Sequence, residues 1–229
     1  MIFDLSGLLK EGELKIALNR ATIDNIFLSA LYGYEDDSKI SDEELFAQVW
    51  ENIKRFEDIK YYPYLDSKCK ITIAGGINVN IWDDFKKLNL TVNKVPATYI
   101  QKKEGFERLK EFSRQLGGKN NFKAERFESV TNLRIPEKDV RKLSETHIKN
   151  DLIYLRKEFS EFDSFPRPLK EILLDIKYNT KEFKRENWPN LYNAIEKHDV
   201  EKIVENVHRK DIGQERNKWA ENLARSIRF

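Results

Sequence analysis

Residues 56–76, FEDIKYYPYLDSKCKITIAGG, are the stretch from which the rest of the chain is best read. Glu57 closes a run with helical spacing, Asp66 follows a Tyr64-Leu65 turn, and Thr72 lies on a short alternating strand. In residues 68–73, Cys69, Ile71 and Ile73 are expected on one face and Lys70 and Thr72 on the other, with Gly75 and Gly76 ending the strand. The order helix-Glu, turn-Asp, strand-Thr would gather two acids and a hydroxyl around one cleft. Two carboxylates flanking a scissile bond are the minimum equipment for breaking a glycosidic linkage.

Upstream, Ser41 followed by Glu44 has the spacing of a capping box. The helix it opens carries Phe46, Trp50, Ile53 and Glu57 on one stripe. Before it, Leu5, Leu8 and Leu9 suggest a short helix, and Ile23, Ile26, Phe27, Ala30 and Leu31 a second. Downstream, a strand is expected near Leu88 to Val92 and a helix from Gly105 to Leu116, followed by a flexible connector over 117–121. Beyond Pro136, residues Val140, Leu143, His147, Ile148, Leu152 and Leu155 form a long stripe that Pro166 and Pro168 interrupt. Helices then follow around Leu169–Ile176, from Asn187 to about Lys197, over Val200–Val207, and through Arg216, Trp219, Leu223 and Ile227. Glu57 and Arg216 read as the one acid and the one base on otherwise apolar stripes. An ion pair between them is expected, because removing one partner of such a buried pair costs roughly 3–5 kcal/mol.

Composition narrows the function classes. The 229 residues suffice for one substantial core. Charged residues make up 35% of the chain but balance to a net +2, with no Lys/Arg run longer than two, which argues against a nucleic-acid partner. Cys69 is the only cysteine, so no intrachain disulfide forms, and a buried inert thiol is expected. No apolar run is long enough for a membrane span. Met1-Ile2-Phe3-Asp4 lacks the basic start and apolar stretch of a secretory signal, so synthesis in the cytoplasm and delivery by another machine are expected.

With these residues in view, the chain resembles the phage-type lysozymes of the T-even kind, glycoside hydrolase family 24. Glu57, Asp66 and Thr72 fall at the spacing of that family's catalytic Glu, Asp and Thr, and Tyr64-Leu65-Asp66-Ser67 followed by Ile71-Thr72-Ile73 is close to its wording. Residues 135–143 look like the start of its long interdomain helix, 173–179 like its cleft helix, and 216–220 like its final Arg-bearing helix. The likeness covers residues 43–82 and 130–227. Asp58 stands where the family has Gly, and Ala74-Gly75-Gly76-Ile77 replaces its Gly-Tyr-Gly-His.

The resemblance implies an α+β, mainly α, lysozyme-like fold. Its parts would be an N-terminal helical extension (1–42), a small β-containing lobe (43–133) with an insertion over 83–129, and a helical lobe (134–229) that includes the connecting helix. It also implies inverting hydrolysis of the β-1,4 bond between N-acetylmuramic acid and N-acetylglucosamine. Glu57 would be the general acid, Asp66 the ionised carboxylate and Thr72 the residue that orients water. Asn179 and Trp82 are the expected substrate contacts and Arg216 the supporting ion-pair partner. No cofactor or metal is expected. The expected partners are peptidoglycan glycan strands, a monomer being the expected state, with a delivery protein or inhibitor on 1–42 or the insertion; the alternative for these segments is added packing. A wall-binding or structural module without activity is the competing function, and a lytic transglycosylase, needing neither Asp66 nor Thr72, a third.

Overall fold

The structure, a computed structural model, describes residues 40–180, 182–210 and 212–229. The stripes at Leu5–Leu9 and Ile23–Leu31, and nearly all of the 1–42 extension, lie outside them. Helix α1 (Asp42–Phe56) opens on the expected box: Ser41 Oγ accepts from Glu44 N at 3.2 Å and Glu44 Oε2 accepts from Ser41 N at 3.0 Å. Asp42 also accepts two hydrogen bonds from Arg156, which fastens the start of α1 to the end of the long helix α4 (Glu137–Glu158).

Next comes a three-stranded antiparallel meander, β1 (Lys60–Leu65), β2 (Ile71–Ala74) and β3 (Ile77–Asn78). Tyr64 pairs with Thr72 and Leu65 with Ile71, but Lys60 pairs with Ala74, so the register slips between them, around Pro63. A proline cannot donate to the ladder and is tolerated at such a bulge. Helix α2 (Trp82–Phe85) leads to a small hairpin, β4 (Thr91–Val92) and β5 (Val95–Pro96). Its turn residues Asn93 and Lys94 both have positive φ, 51° and 67°, as a type I′ turn requires. The strand expected over Leu88–Val92 is thus confined to two residues.

Helix α3 spans Tyr99–Gln115, six residues earlier than the expected start at Gly105. Thr98 and Gln101 make a second capping box, whose Thr-x-x-Gln spacing is visible in the sequence. Gly105 lies inside this helix because a Cβ there would come within 2.4 Å of Leu133 Cδ1. The 117–121 stretch is not a free connector: Asn120 is buried and donates Nδ2 to Leu65 O at 2.9 Å, while its own N–H donates to Ser67 O. A 3-10 turn (Ala124–Phe127) follows and packs on β1. The insertion therefore contributes Phe106, Leu109 and Phe127 to the core.

After α4 come α5 (Arg167–Asn179), α6 (Pro189–Glu196), α7 (Val200–Asn206) and α8 (Gln214–Arg225). α1 packs on α4 and α5, and α8 on α5 and α7. The architecture is mainly helical with small antiparallel sheets. One apolar cluster runs from Leu45 to Ile227 and includes residues assigned by sequence to both lobes. No described helix is long and apolar enough to cross a membrane.

Candidate active site

Glu57 stands where α1 gives way to β1. Its N–H still bonds Ile53 O at 2.8 Å, but its backbone is extended, so the chain turns off the helix axis here. The side chain is three-quarters covered. Arg216 Nη1, from α8, donates to Glu57 Oε1 at 2.5 Å and also reaches Asn179 Oδ1 at 3.3 Å. The Arg216 guanidinium lies 5.4 Å from the centre of the Phe56 ring, which in turn contacts Trp219 at 5.6 Å. Glu57, Phe56 and Tyr61 line an open depression of about 550 Å³.

Burial drives the Glu57 carboxyl above its ordinary value, and Arg216 opposes the shift without cancelling it. A carboxylic acid that holds its proton longer than usual beside open solvent is suited to proton donation.

Arg216 has a second partner. Asp175, on the apolar face of α5, accepts Arg216 Nε at 3.0 Å and Nη2 at 2.6 Å, and also pairs with the buried Arg209. The expectation that Glu57 and Arg216 are the only charges on apolar stripes is therefore corrected. Asp175, between Leu174 and Ile176, and Asp151, beside Leu152, are buried as well. The apolar run of α5 hid Asp175, although it carried the same signal as Glu57.

Asp66 sits at the β1–β2 turn. Its Oδ1 accepts from Lys68 N at 2.9 Å and Lys70 N at 2.7 Å, so one carboxylate oxygen is committed to shaping the turn. Cys69 is buried, but in this turn with φ of 56° rather than on the strand, which begins at Ile71.

Thr72 departs from expectation. The face it shares with Lys70 in sequence is expected to be polar, yet all of β2 is buried and Thr72 is 2% exposed, its Oγ1 donating to Lys70 O at 3.0 Å. Every position of β2 is buried, so both its faces are covered, which the alternation within the strand does not reveal. Tyr64, expected in the turn before Asp66, lies on β1 opposite Thr72. Burial raises its phenol, and the negative charges of Glu57 and Asp66 raise it further. Tyr178, half-buried on α5, donates its hydroxyl to Gly75 O at 2.8 Å. A Cβ on Gly75 would lie 3.1 Å from Ile53 Cγ2, 3.2 Å from that hydroxyl and 3.5 Å from Glu57 Cβ, so the Ala74–Ile77 turn is wedged against the Glu57 corner.

Asn179 is exposed and linked to Glu57 through Arg216, with its Nδ2 donating to Asp175 O at 2.8 Å. Trp82 is half-buried in an aromatic group with Phe85, Tyr99 and Phe106, and the Lys103 ammonium lies 4.7 Å from its ring centre. His147, expected in the core, is half-buried, edge-on to Tyr178 and 3.6 Å from Asp151. Among the described residues, no group of three or more His, Cys, Asp and Glu side chains is placed to hold a metal ion. No protein-family model, curated protein or solved structure matches the chain.

Proposed function

We propose that this chain is a peptidoglycan hydrolase that cleaves the β-1,4 bond between N-acetylmuramic acid and N-acetylglucosamine, with Glu57 as general acid. The observation that carries the proposal is the Glu57 corner. There a partly buried carboxyl with raised proton affinity borders an open depression and is held by a single guanidinium nitrogen. Glu57 would protonate the glycosidic oxygen as the bond breaks. Asp66, with its Oδ2 accepting no hydrogen bond among the described residues, would stabilise the oxocarbenium charge. Thr72 would orient the attacking water from the opposite face, giving inversion. Asn179 and Trp82 would contact the glycan, in a lysozyme-like two-lobed arrangement. The site of action would be the cell wall, reached through a carrier, with residues 1–42 or the 83–129 insertion offering a surface to that carrier or to an inhibitor.

Two observations favour a second reading, a wall-binding module without turnover. Thr72 is covered, and the depression is lined by residues 54–59 and Tyr61, with neither Asp66 nor Thr72 among them. Purified protein on defined peptidoglycan, with products read by mass spectrometry, separates the readings. New reducing ends that vanish in Glu57→Gln support the hydrolase. Pull-down of the wall polymer without cleavage supports the module, and anhydro-sugar ends would point to a transglycosylase.

A further inference from the structure

The arrangement around Arg216 is unusual in how completely its nitrogens are assigned. Nε and Nη2 both go to Asp175, and only Nη1 is left for Glu57 and Asn179. A free guanidinium beside a carboxylate prefers to bind it with two parallel N–H groups, which would hold Glu57 ionised. Asp175 prevents this by taking that edge of the fork for itself. Arg209 completes the balance: its Nη2 pairs with Asp175, while its buried Nε has no hydrogen-bond partner among the described residues. An incompletely satisfied buried guanidinium is costly and calls for an explanation. Here it neutralises Asp175, giving two carboxylates and two guanidiniums in one buried row.

We infer that Asp175 is a positioning residue for Glu57, turning Arg216 so that one nitrogen instead of the whole fork meets the acid. Arg209 is its counter-charge. The catalytic meaning of this rests on the hydrolase reading; the electrostatic relationship does not. The charged and titratable groups facing Glu57 are Arg216 from α8, Asp175 and Tyr178 from α5, Arg209 from the α7–α8 loop and Tyr64 from β1. Lys54, Arg55 and Asp58 border the depression beside it.

The test is direct titration of Glu57 in the full chain. Protein labelled with carbon-13 at glutamate side-chain carboxyls is titrated by NMR, and the Glu57 signal is assigned by its loss in Glu57→Gln. In Asp175→Asn the Glu57 midpoint is expected to fall by about one pH unit, a tenfold loss of proton affinity. A folded Asp175→Asn with an unchanged or higher midpoint overturns the inference. If Asp175→Asn does not fold, Asp175→Asn with Arg209→Gln removes one charge of each sign; losing Arg209 opposes part of the shift, so a smaller fall is expected, and an unchanged or higher midpoint overturns the inference. Where peptidoglycan is cleaved, the alkaline limb of kcat should also move to lower pH with KM unchanged. A wild type without cleavage sinks the hydrolase reading while the titration still judges Asp175.

Discussion

Tyr64 and Thr72 are directly opposed across β1 and β2, and the Tyr64 phenol lies in the field of both Glu57 and Asp66. Tyr64 is thus related to all three residues singled out in the sequence, to Thr72 by register and to the two acids by charge. Its phenol is largely covered, and an acid at a helix end and an acid on a turn both act on it.

Thr72 offers a clean separation of roles. Thr72→Val keeps the shape of the side chain and removes the hydrogen bond to Lys70 O, which should cost about 1 kcal/mol in urea unfolding. If Thr72 orients water, hydrolysis should fall by about a hundredfold, on the order of 3 kcal/mol. Activity falling only in step with stability would leave Thr72 a structural residue.

Asp66 is expected to divide according to what replaces it. Asp66→Asn keeps an Oδ1 that can accept from Lys68 N and Lys70 N, so the turn should survive with little change in Tm. Asp66→Ala loses both acceptor contacts and should cost roughly 1–3 kcal/mol. Cleavage should be lost in both, and an active Asp66→Asn would remove the carboxylate from the mechanism.

Glu57 should leave a signature in stability against pH. Its carboxyl is raised above the ordinary value of 4.5 in the folded chain, so its contribution is full below that value and is lost as pH rises through the folded one. Glu57→Gln cannot titrate. The variant should therefore gain on the wild type between acid and neutral pH in thermal unfolding, and parallel curves would show that burial does not dominate at this position.

Gly75→Ala tests the wedge at the β2–β3 turn. The added methyl would press on Ile53 and on the Tyr178 hydroxyl, so destabilisation of roughly 1–3 kcal/mol is expected from denaturant midpoints. Any activity should drop by more than stability accounts for, since the same methyl adjoins Glu57 Cβ. Unchanged midpoints would mean that the turn yields freely.

Local chemistry was the legible part of this fold. Ser41 and Glu44 announced the start of α1, Pro136 and Pro166 marked helix entries, and the charges at 57 and 216 pointed to each other because neither is comfortable alone. What stayed hidden depends on distant packing. Nothing within residues 71–74 says that the middle strand is covered on both sides. Nothing near Asp66 says that Asn120 will return to staple its turn. Asp175 was legible in principle, as an acid inside an apolar helix face, but its two arginines come from a loop and a helix more than thirty residues away.

Glu57 and its guanidinium partner are separated by 159 residues, and that partner lies on α8, made long after α1. A nascent chain halted before α8 would carry the acid with no counter-ion and a corner without its roof of Trp219. Translation order thus leaves the corner unassembled until α8 has been made.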